Sequence, residues 1–132
     1  MHPISSILFK IYDKLLSNQQ VFFPLLPEQK EKIDSIVKTV EGKFFEKEHF
    51  PTQADKAAAY FYFLIKDHPL TDGNKRMAVL WLEIYCEVVG LTISLPKDIT
   101  LDQMAVGVEK LQLPSDVSVE IIKTFLFLKP NT

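Results

Sequence analysis

Apolar and polar residues follow a helical period along most of the chain. Near the start, five apolar residues recur at helical spacing: Ile4, Ile7, Leu8, Ile11 and Leu15. This spacing predicts an amphipathic helix with these residues on its buried face. The stretch from Asn18 to Pro27 holds two prolines and predicts a loop. Pro27 is suited to open a second helix, which Gly42 would end, and its apolar face is Ile33, Ile36, Val37 and Val40.

The middle of the chain predicts two central helices. Thr52 followed by Asp55 resembles a capping box, and the residues from Ala57 to Ile65 are apolar on every side, which indicates a buried helix. This helix should stop near His68, because a residue before proline is pushed out of helical geometry. A short loop follows, and a second largely apolar helix is expected from about Asn74 to Val89, ending at Gly90.

The last third of the chain predicts a short extended piece and two closing helices. Thr92 to Leu95 is the extended piece, and Thr100 with Gln103 forms a second capping box. The final helix would be capped by Ser115 or Asp116, with a buried stripe of Val117, Ile121, Ile122, Phe125 and Leu128. The expected fold is all-α, a compact bundle of about six helices around the two central ones.

The segment from Lys43 to Pro51 has no helical period. Phe44, Phe45 and Phe50 stand among charged residues, so this segment predicts either an irregular loop or a short β-hairpin. Three phenylalanines in a polar segment are consistent with a surface that meets another molecule. The favoured explanation is that they are anchors that hold the segment on the core.

Composition and charge place the chain among ordinary globular proteins. It has 132 residues, 47% hydrophobic and 24% charged, which fits a single domain over residues 1–132. The formal net charge of −2 gives no sign of a strongly basic nucleic-acid surface, so no direct nucleic-acid partner is expected. Cys86 is the sole cysteine, no signal-peptide pattern opens the chain, and no apolar run is long enough to cross a bilayer. We therefore expect a cytoplasmic protein with no membrane partner.

The segment from His68 to Arg76 carries the candidate chemistry. The first amides of the helix after Gly73 have no partner within the helix, and the helix dipole is positive there, which makes an anion site. Gly73 permits a sharp turn and a close approach. Lys75 and Arg76 lie in the first turn, where cations are unfavourable unless an anion such as phosphate binds beside them.

Two further side chains suit phosphoryl transfer. Asp72 can share a Mg²⁺ ion with phosphate oxygens, and His68 can act as a base near neutral pH. Asn74 can cap the helix or bind a phosphate oxygen. Taken singly, each residue also has a structural explanation: His68 as a helix-end histidine, residues 72–74 as a turn and cap, and the two cations as solvated charges. The hypothesis of a phosphoryl-transfer site rests on their combination.

The same segment resembles the signature of the Fic/Doc superfamily. That pattern is His-x-Phe-x-Asp/Glu-Gly-Asn-Gly/Lys-Arg, and residues 68–76 match it at six specified positions: His68, Asp72, Gly73, Asn74, Lys75 and Arg76. The likeness extends more loosely from about Glu41 to Phe125. It implies a compact helical bundle, and an enzyme that uses ATP and Mg²⁺ to modify a Ser, Thr or Tyr hydroxyl of a target protein.

The resemblance also implies a role for each residue. His68 would be the catalytic base, Asp72 the metal ligand, and the segment from Gly73 to Arg76 (Gly73, Asn74, Lys75 and Arg76) the anion hole for the nucleotide phosphates. A hairpin called the flap aligns the target in this family, and here it corresponds to Lys43, Phe44, Phe45 and Glu46. Leu70 stands where the family has a buried Phe, so the loop could be held less tightly.

The subclass depends on two positions. Members with Gly at the position of Lys75, and a second Arg at the position of Val79, resemble AMP-transferases. Lys without that second Arg resembles the death-on-curing (Doc) toxin branch, where the γ-phosphoryl group is transferred. We therefore favour a Doc-like protein phosphotransferase, with AMP transfer (AMPylation) as the alternative. A Doc-like toxin would be expected to act on a bacterial protein of translation.

Regulation and two competing hypotheses complete the expectation. The inhibitory Ser/Thr-x-x-x-Glu-Gly/Asn motif of some relatives is incomplete here, since Val37 stands four residues before Glu41. Control would therefore come from a separate antitoxin chain. A non-catalytic interaction domain remains an alternative, although it would have no need of His68. A metal hydrolase is disfavoured, because the three histidines and the cysteine lack a ligand spacing such as His-Glu-x-x-His.

Overall fold

A computed structural model describes residues 1–126 and 128–131 of the chain. The six helices it contains are α1 (Pro3–Ser17), α2 (Pro27–Glu41), α3 (Gln53–Lys66), α4 (Asn74–Val89), α5 (Leu101–Glu109) and α6 (Ser115–Leu126). Four two-residue strands complete the described part: β1 (Lys43–Phe44), β2 (Lys47–Glu48), β3 (Leu91–Thr92) and β4 (Lys129–Pro130). The expected all-α bundle of about six helices with a short hairpin is confirmed.

Helix α3 forms the centre of the bundle. It packs against α2, α4, α5 and α6, and its residues from Ala57 to Tyr62 are buried on all sides. Its start carries the predicted capping box: the Thr52 hydroxyl accepts from the Asp55 amide at 3.0 Å, and the Asp55 carboxylate accepts from the Thr52 amide at 3.3 Å. The uniformly apolar pattern of this segment therefore does correspond to a fully surrounded helix.

Helix α4 lies beside α3 and shares an aromatic cluster with it. The Trp81 ring lies 5.6 Å from that of Tyr60 and 5.7 Å from that of Tyr85, between ring centroids. Cys86 is buried next to them, and burial raises the pKa of its thiol to about 11. These residues belong to the core, as the sequence predicts for this face of the helix.

Two helices bury faces that match the expected ones only in part. On α1 the buried residues are Ser5, Leu8, Tyr12 and Leu15, whereas Ile7 is 46% exposed. On α6 the predicted stripe is confirmed at Ile122 and wrong at Val117 and Phe125, which are exposed, while Ser118, Val119 and Leu126 are buried. Apolar residues occupy much of both helices, so periodicity alone left the rotation of each helix about its axis undetermined.

The two strand pairs have different surroundings. Strands β3 and β4 pair antiparallel and place residues 129–130 beside residues 91–92, which follow the C-terminal end of α4. Strands β1 and β2 form a hairpin with a two-residue turn, in which both Phe45 (φ 50°) and Glu46 (φ 63°) adopt the left-handed region. That turn normally takes Asn and Gly, so the hairpin tip is strained.

The three phenylalanines of the hairpin segment divide between the two roles considered for them. Phe50 is buried and packs edge-on against Phe63, which anchors the segment on α3. Phe44 and Phe45 are 69% and 87% exposed at the hairpin tip. Among the described residues, no helix is both long and apolar enough to cross a membrane.

Candidate active site

The motif loop, residues 67–73, joins the C-terminal end of α3 to the start of α4. Asp67 ends α3, and the next residue, His68, has φ 44°, in the left-handed region. Right-handed helical geometry is disfavoured at His68 because Pro69 follows it. Glycine is the usual residue at such a helix end, so a histidine there costs roughly 1 kcal/mol or more of backbone strain. The His68 side chain is exposed to solvent, while Pro69 and Leu70 beside it are buried.

Leu70 and Asn74 hold this loop on the core. Leu70 is 6% exposed, so the leucine at the position of the family's phenylalanine is buried in the core. The Asn74 side chain accepts from the Leu70 amide at 2.9 Å and donates to the Leu70 carbonyl at 3.1 Å. Its amide nitrogen also lies 3.4 Å from Nδ1 of His68. The Asn74 side chain therefore braces the loop, and a contact from this residue to an anion would come from its backbone N–H.

The N-terminal end of α4 is open. Gly73 precedes the helix with φ 83°, and a Cβ atom at this position would lie 2.6 Å from Cγ1 of Val21. A residue other than glycine is thus disfavoured by both its backbone conformation and its contact. The first backbone bond of the helix runs from the Met77 amide to the Gly73 carbonyl at 2.8 Å. The amides of residues 74–76 precede that bond and are available to an anion.

The two cations of the first turn point to different neighbours. The Lys75 ammonium lies 3.0 Å from the Glu109 carboxylate at the end of α5. Arg76 donates from one guanidinium nitrogen to the carbonyl of Gln20, in the loop between α1 and α2. Since that carbonyl is neutral, Arg76 keeps its full charge and has further donors for a phosphate. The charge of Lys75 is balanced by a carboxylate.

Asp72 suits a magnesium ion shared with a nucleotide. Its carboxylate is exposed on the loop next to the open amides, and it is close enough to Tyr12 to help burial raise the pKa of that phenol. No group of three or more His, Cys, Asp or Glu side chains in the described part of the chain could hold a metal alone. Mg²⁺ commonly binds through one carboxylate plus phosphate oxygens, so a single Asp72 fits that mode of binding.

Residues from outside the motif support the loop, and sequence reasoning did not single them out. From the first half of α2, Gln29 donates to the Thr71 hydroxyl at 2.7 Å and Lys32 donates to the Asp67 carbonyl at 3.3 Å. Val21 lies directly under Gly73. The apolar run from Val21 to Phe23 inside a predicted loop was a signal for this packing. For Glu109 the sequence offered none.

The hairpin residues proposed as a flap do not bond to the motif loop. Lys43, Phe44, Phe45 and Glu46 are all exposed. The hairpin is tied to α3 through Glu48, which lies 3.9 Å from the Lys56 ammonium. Within residues 1–126 and 128–131, no hydrogen bond, ion pair or ring contact joins residues 43–46 to residues 68–76. Alignment of a target by this hairpin therefore stays a prediction.

Comparison with known families agrees with this arrangement. The model of the Fic/DOC family matches residues 4–86, which run from the start of α1 through most of α4 and include the whole motif loop. The matched part begins earlier and ends earlier than the likeness expected from about Glu41 to Phe125. Neither curated proteins nor solved structures gave a match. Proteins of this family are in general enzymes that transfer nucleotidyl or phosphoryl groups, typically with ATP and Mg²⁺. Because its model covers well over half of the 132 residues, this chain belongs to the Fic/DOC family.

Proposed function

We propose that this chain, as a single domain over residues 1–132, transfers the γ-phosphoryl group of ATP to a hydroxyl side chain of a target protein. One observation carries the proposal. An exposed imidazole, an exposed carboxylate and an open helix N-terminus lie on one short loop that is braced from three sides. His68, Asp72 and the amides after Gly73 are thus held in fixed relation to one another, as positioning of a nucleotide requires.

Each residue of the site has a separate role in the proposed phosphoryl transfer. His68 accepts the proton of the target hydroxyl as its oxygen bonds to the γ-phosphorus, while the bond from that phosphorus to the bridging oxygen breaks and ADP leaves. The amides of residues 74–76 and the guanidinium of Arg76 bind the phosphate oxygens. Asp72 would hold Mg²⁺, which neutralises phosphate charge when bound.

Transfer of the γ-phosphoryl group is favoured over AMP transfer by the residue at position 79. Val79 stands where AMP-transferases of this family have a second arginine, and here it packs partly buried against the core. It therefore offers no cation for a further phosphate group. Lys75 in place of glycine agrees with the same assignment, which the family resemblance suggests.

AMP transfer is the second candidate, and one observation favours it. The Lys75 ammonium lies 3.0 Å from Glu109 rather than over the open amides of α4. With the side chain in that position, the phosphate cradle is less obstructed than a lysine in place of glycine would suggest. The usual nucleotide orientation of AMP-transferases then remains accessible.

The partners follow from the resemblance alone. We propose that the target presents a Ser, Thr or Tyr hydroxyl and is aligned by the exposed hairpin residues 43–46. The protein would be a cytoplasmic toxin acting on a bacterial protein of translation. A separate antitoxin chain would control it, because the intramolecular inhibitory motif is incomplete.

Transfer of labelled phosphate tests the proposal. The purified protein is incubated with Mg²⁺ and a bacterial lysate, in parallel with ATP labelled at the α- or the γ-phosphate, beside a His68→Ala control. Label from the γ-phosphate alone, lost in the control, is the expected result. Label from the α-phosphate would establish AMP transfer instead. With a range of lysates, no transfer from either position would favour the non-catalytic interaction domain.

A further inference from the structure

The last turn of α5 is fastened to both helices that flank the motif loop. From the end of α3, the Lys66 ammonium donates to the carbonyl of Glu109 at 3.2 Å and to that of Leu111 at 2.6 Å. From the start of α4, the Lys75 ammonium binds the Glu109 carboxylate at 3.0 Å. Lys66 therefore fixes the backbone from which the Glu109 side chain reaches the site.

Glu109 also interacts with the site electrostatically. The hydrogen bond from Lys75 lowers the pKa of the Glu109 carboxyl, and the charge of His68 contributes in the same direction. The carboxylate is thus within electrostatic range of both the candidate base and the first-turn lysine. Glu109 lies outside residues 4–86, where the family model matches.

The Glu109 carboxylate offsets one of the two positive charges in the first turn of α4. Arg76 contributes one positive charge and Asp72 one negative charge, while Lys75 and Glu109 neutralise each other. Without Glu109, the open amides of α4 would face an additional unbalanced positive charge. A phosphate group near these amides would then be attracted more strongly.

We propose that Glu109 is a positioning residue that holds the Lys75 ammonium on the α5 side of the site and cancels its charge, and thereby weakens nucleotide binding. This inference rests on the proposed function, since it concerns the same phosphate site. As a consequence, both ATP and ADP should bind with lower affinity. Their phosphates would be bound mainly by the backbone amides at the start of α4 and by Arg76.

Nucleotide binding by charge variants tests this role. The dissociation constant of the Mg²⁺ complex of β,γ-imido-ATP is measured by calorimetry at low and at high salt, with kcat and KM for ATP beside it. At low salt, Glu109→Gln should bind about fivefold more tightly, the effect of one unit charge about 4 Å away in water. High salt should reduce this difference because the pair is partly exposed. The variant should change KM more than kcat.

Two control variants separate charge from structure. Glu109→Asp keeps the carboxylate and should bind like the wild type. Glu87→Gln makes the same charge change on the exposed side of the last turn of α4, away from the loop, and should also bind like the wild type. Circular dichroism of Glu109→Gln establishes that its fold is retained.

The outcomes distinguish this inference from the proposed function. If the wild type binds the analogue and Glu109→Gln binds it equally or more weakly, the role of Glu109 is wrong while the function stands. An effect of the same size in Glu87→Gln would also overturn it, because general charge would then explain the change. If the wild type binds no analogue and transfers no label, the proposed function fails and this inference with it.

Discussion

The two central helices begin in opposite ways. Helix α3 starts with a complete capping box, in which Thr52 and Asp55 satisfy each other's amides and an acidic residue lies in the first turn. Helix α4 starts at a left-handed Gly73 with no side-chain cap and no acidic residue in its first turn. Its first turn contains Lys75 and Arg76 instead, whose charges oppose the helix dipole.

The comparison extends to the ends of the same helices. Helix α4 ends at Gly90, which takes the left-handed conformation without a steric cost. At the end of α3, the residue after the Asp67 cap takes the left-handed conformation too, but there it is His68. For these two helices, the unfavourable end residues thus lie at one place, the junction between α3 and α4. Local stability has been given up where the candidate chemistry lies, which is typical of functional sites.

The largest effect should come from the base at this junction. His68→Ala should lower transfer about 100-fold or more, because the proton of the target hydroxyl loses its acceptor. The thermal unfolding midpoint should change little, since the side chain is exposed. His49→Ala, at another exposed histidine, is the control and should keep full activity. Transfer at the wild-type rate in His68→Ala would remove this residue from the mechanism.

Gly73→Ala should have the next largest effect, which is a loss of stability. The left-handed conformation and the contact with Val21 together should cost about 2 kcal/mol or more in the free energy of unfolding. Gly107→Ala is the matched control: it lies inside α5, where a Cβ atom meets nothing within 4 Å, and it should stabilise by about 0.5–1 kcal/mol. Urea unfolding of both variants measures the difference. Equal values would mean that Gly73 is not required by the backbone.

Asp72→Asn should raise the Mg²⁺ concentration needed for half-maximal transfer by roughly tenfold, because the ion loses its charged protein ligand. A magnesium titration of transfer activity measures this. Asp13→Asn makes the same charge change on the exposed side of α1, near Tyr12, and should leave the titration unaltered. If both variants respond alike, Asp72 acts through general charge and not as a ligand.

A substitution in the capping box of α3 should change the stability of the protein and leave transfer unaltered. Thr52→Ala removes the acceptor of the Asp55 amide and should cost about 1 kcal/mol of unfolding free energy, with transfer unchanged. Thr100→Ala breaks the equivalent box at the start of α5 and should cost a similar amount. Thermal unfolding and the transfer assay test both variants. Loss of transfer in Thr52→Ala would show that the two helix starts are not independent.

The smallest expected effect is on the pH dependence of stability. Burial alone would raise the pKa of Asp55, but hydrogen bonds from Lys123 and Thr52 outweigh it and hold the pKa below its usual value. Because the pKa of Asp55 is lower in the folded protein, its ionised carboxylate stabilises the fold at pH values above the pKa of an unfolded aspartate, which is about 4. This stabilisation is lost as the pH falls through the lower pKa of the folded state. Asp55→Asn should therefore flatten the fall in unfolding free energy between about pH 5 and pH 3. An unchanged fall would assign it to other carboxyls, such as that of Asp34.

Local signals in the sequence were sufficient to predict several helix boundaries and the family of the protein. Capping boxes, glycine stops and the Pro69 boundary act over three or four residues, so they can be read without the fold. Thr52, Thr100 and Gly90 all have the predicted roles. The motif from His68 to Arg76 is equally local, and its resemblance to the Fic/Doc signature agrees with the family match.

The details of the site required contacts between distant residues. Asn74 was expected to cap the helix or bind phosphate, and its side chain instead braces Leu70. Lys75 binds Glu109, which is 34 residues further along the chain, and a single glutamate on a surface helix gives no signal of its own. Arg76 likewise binds a backbone carbonyl, which no sequence pattern specifies.

The sequence by itself thus determined the starts of α2 to α5 and the end of α4, and which nine residues carry the candidate chemistry, because those signals depend on near neighbours along the chain. The tertiary structure alone decided which face of α1 and α6 is buried, and which neighbours bind the cations of the motif. Such choices depend on packing between helices far apart in sequence. A helix with apolar residues around much of its surface can satisfy that packing at more than one rotation.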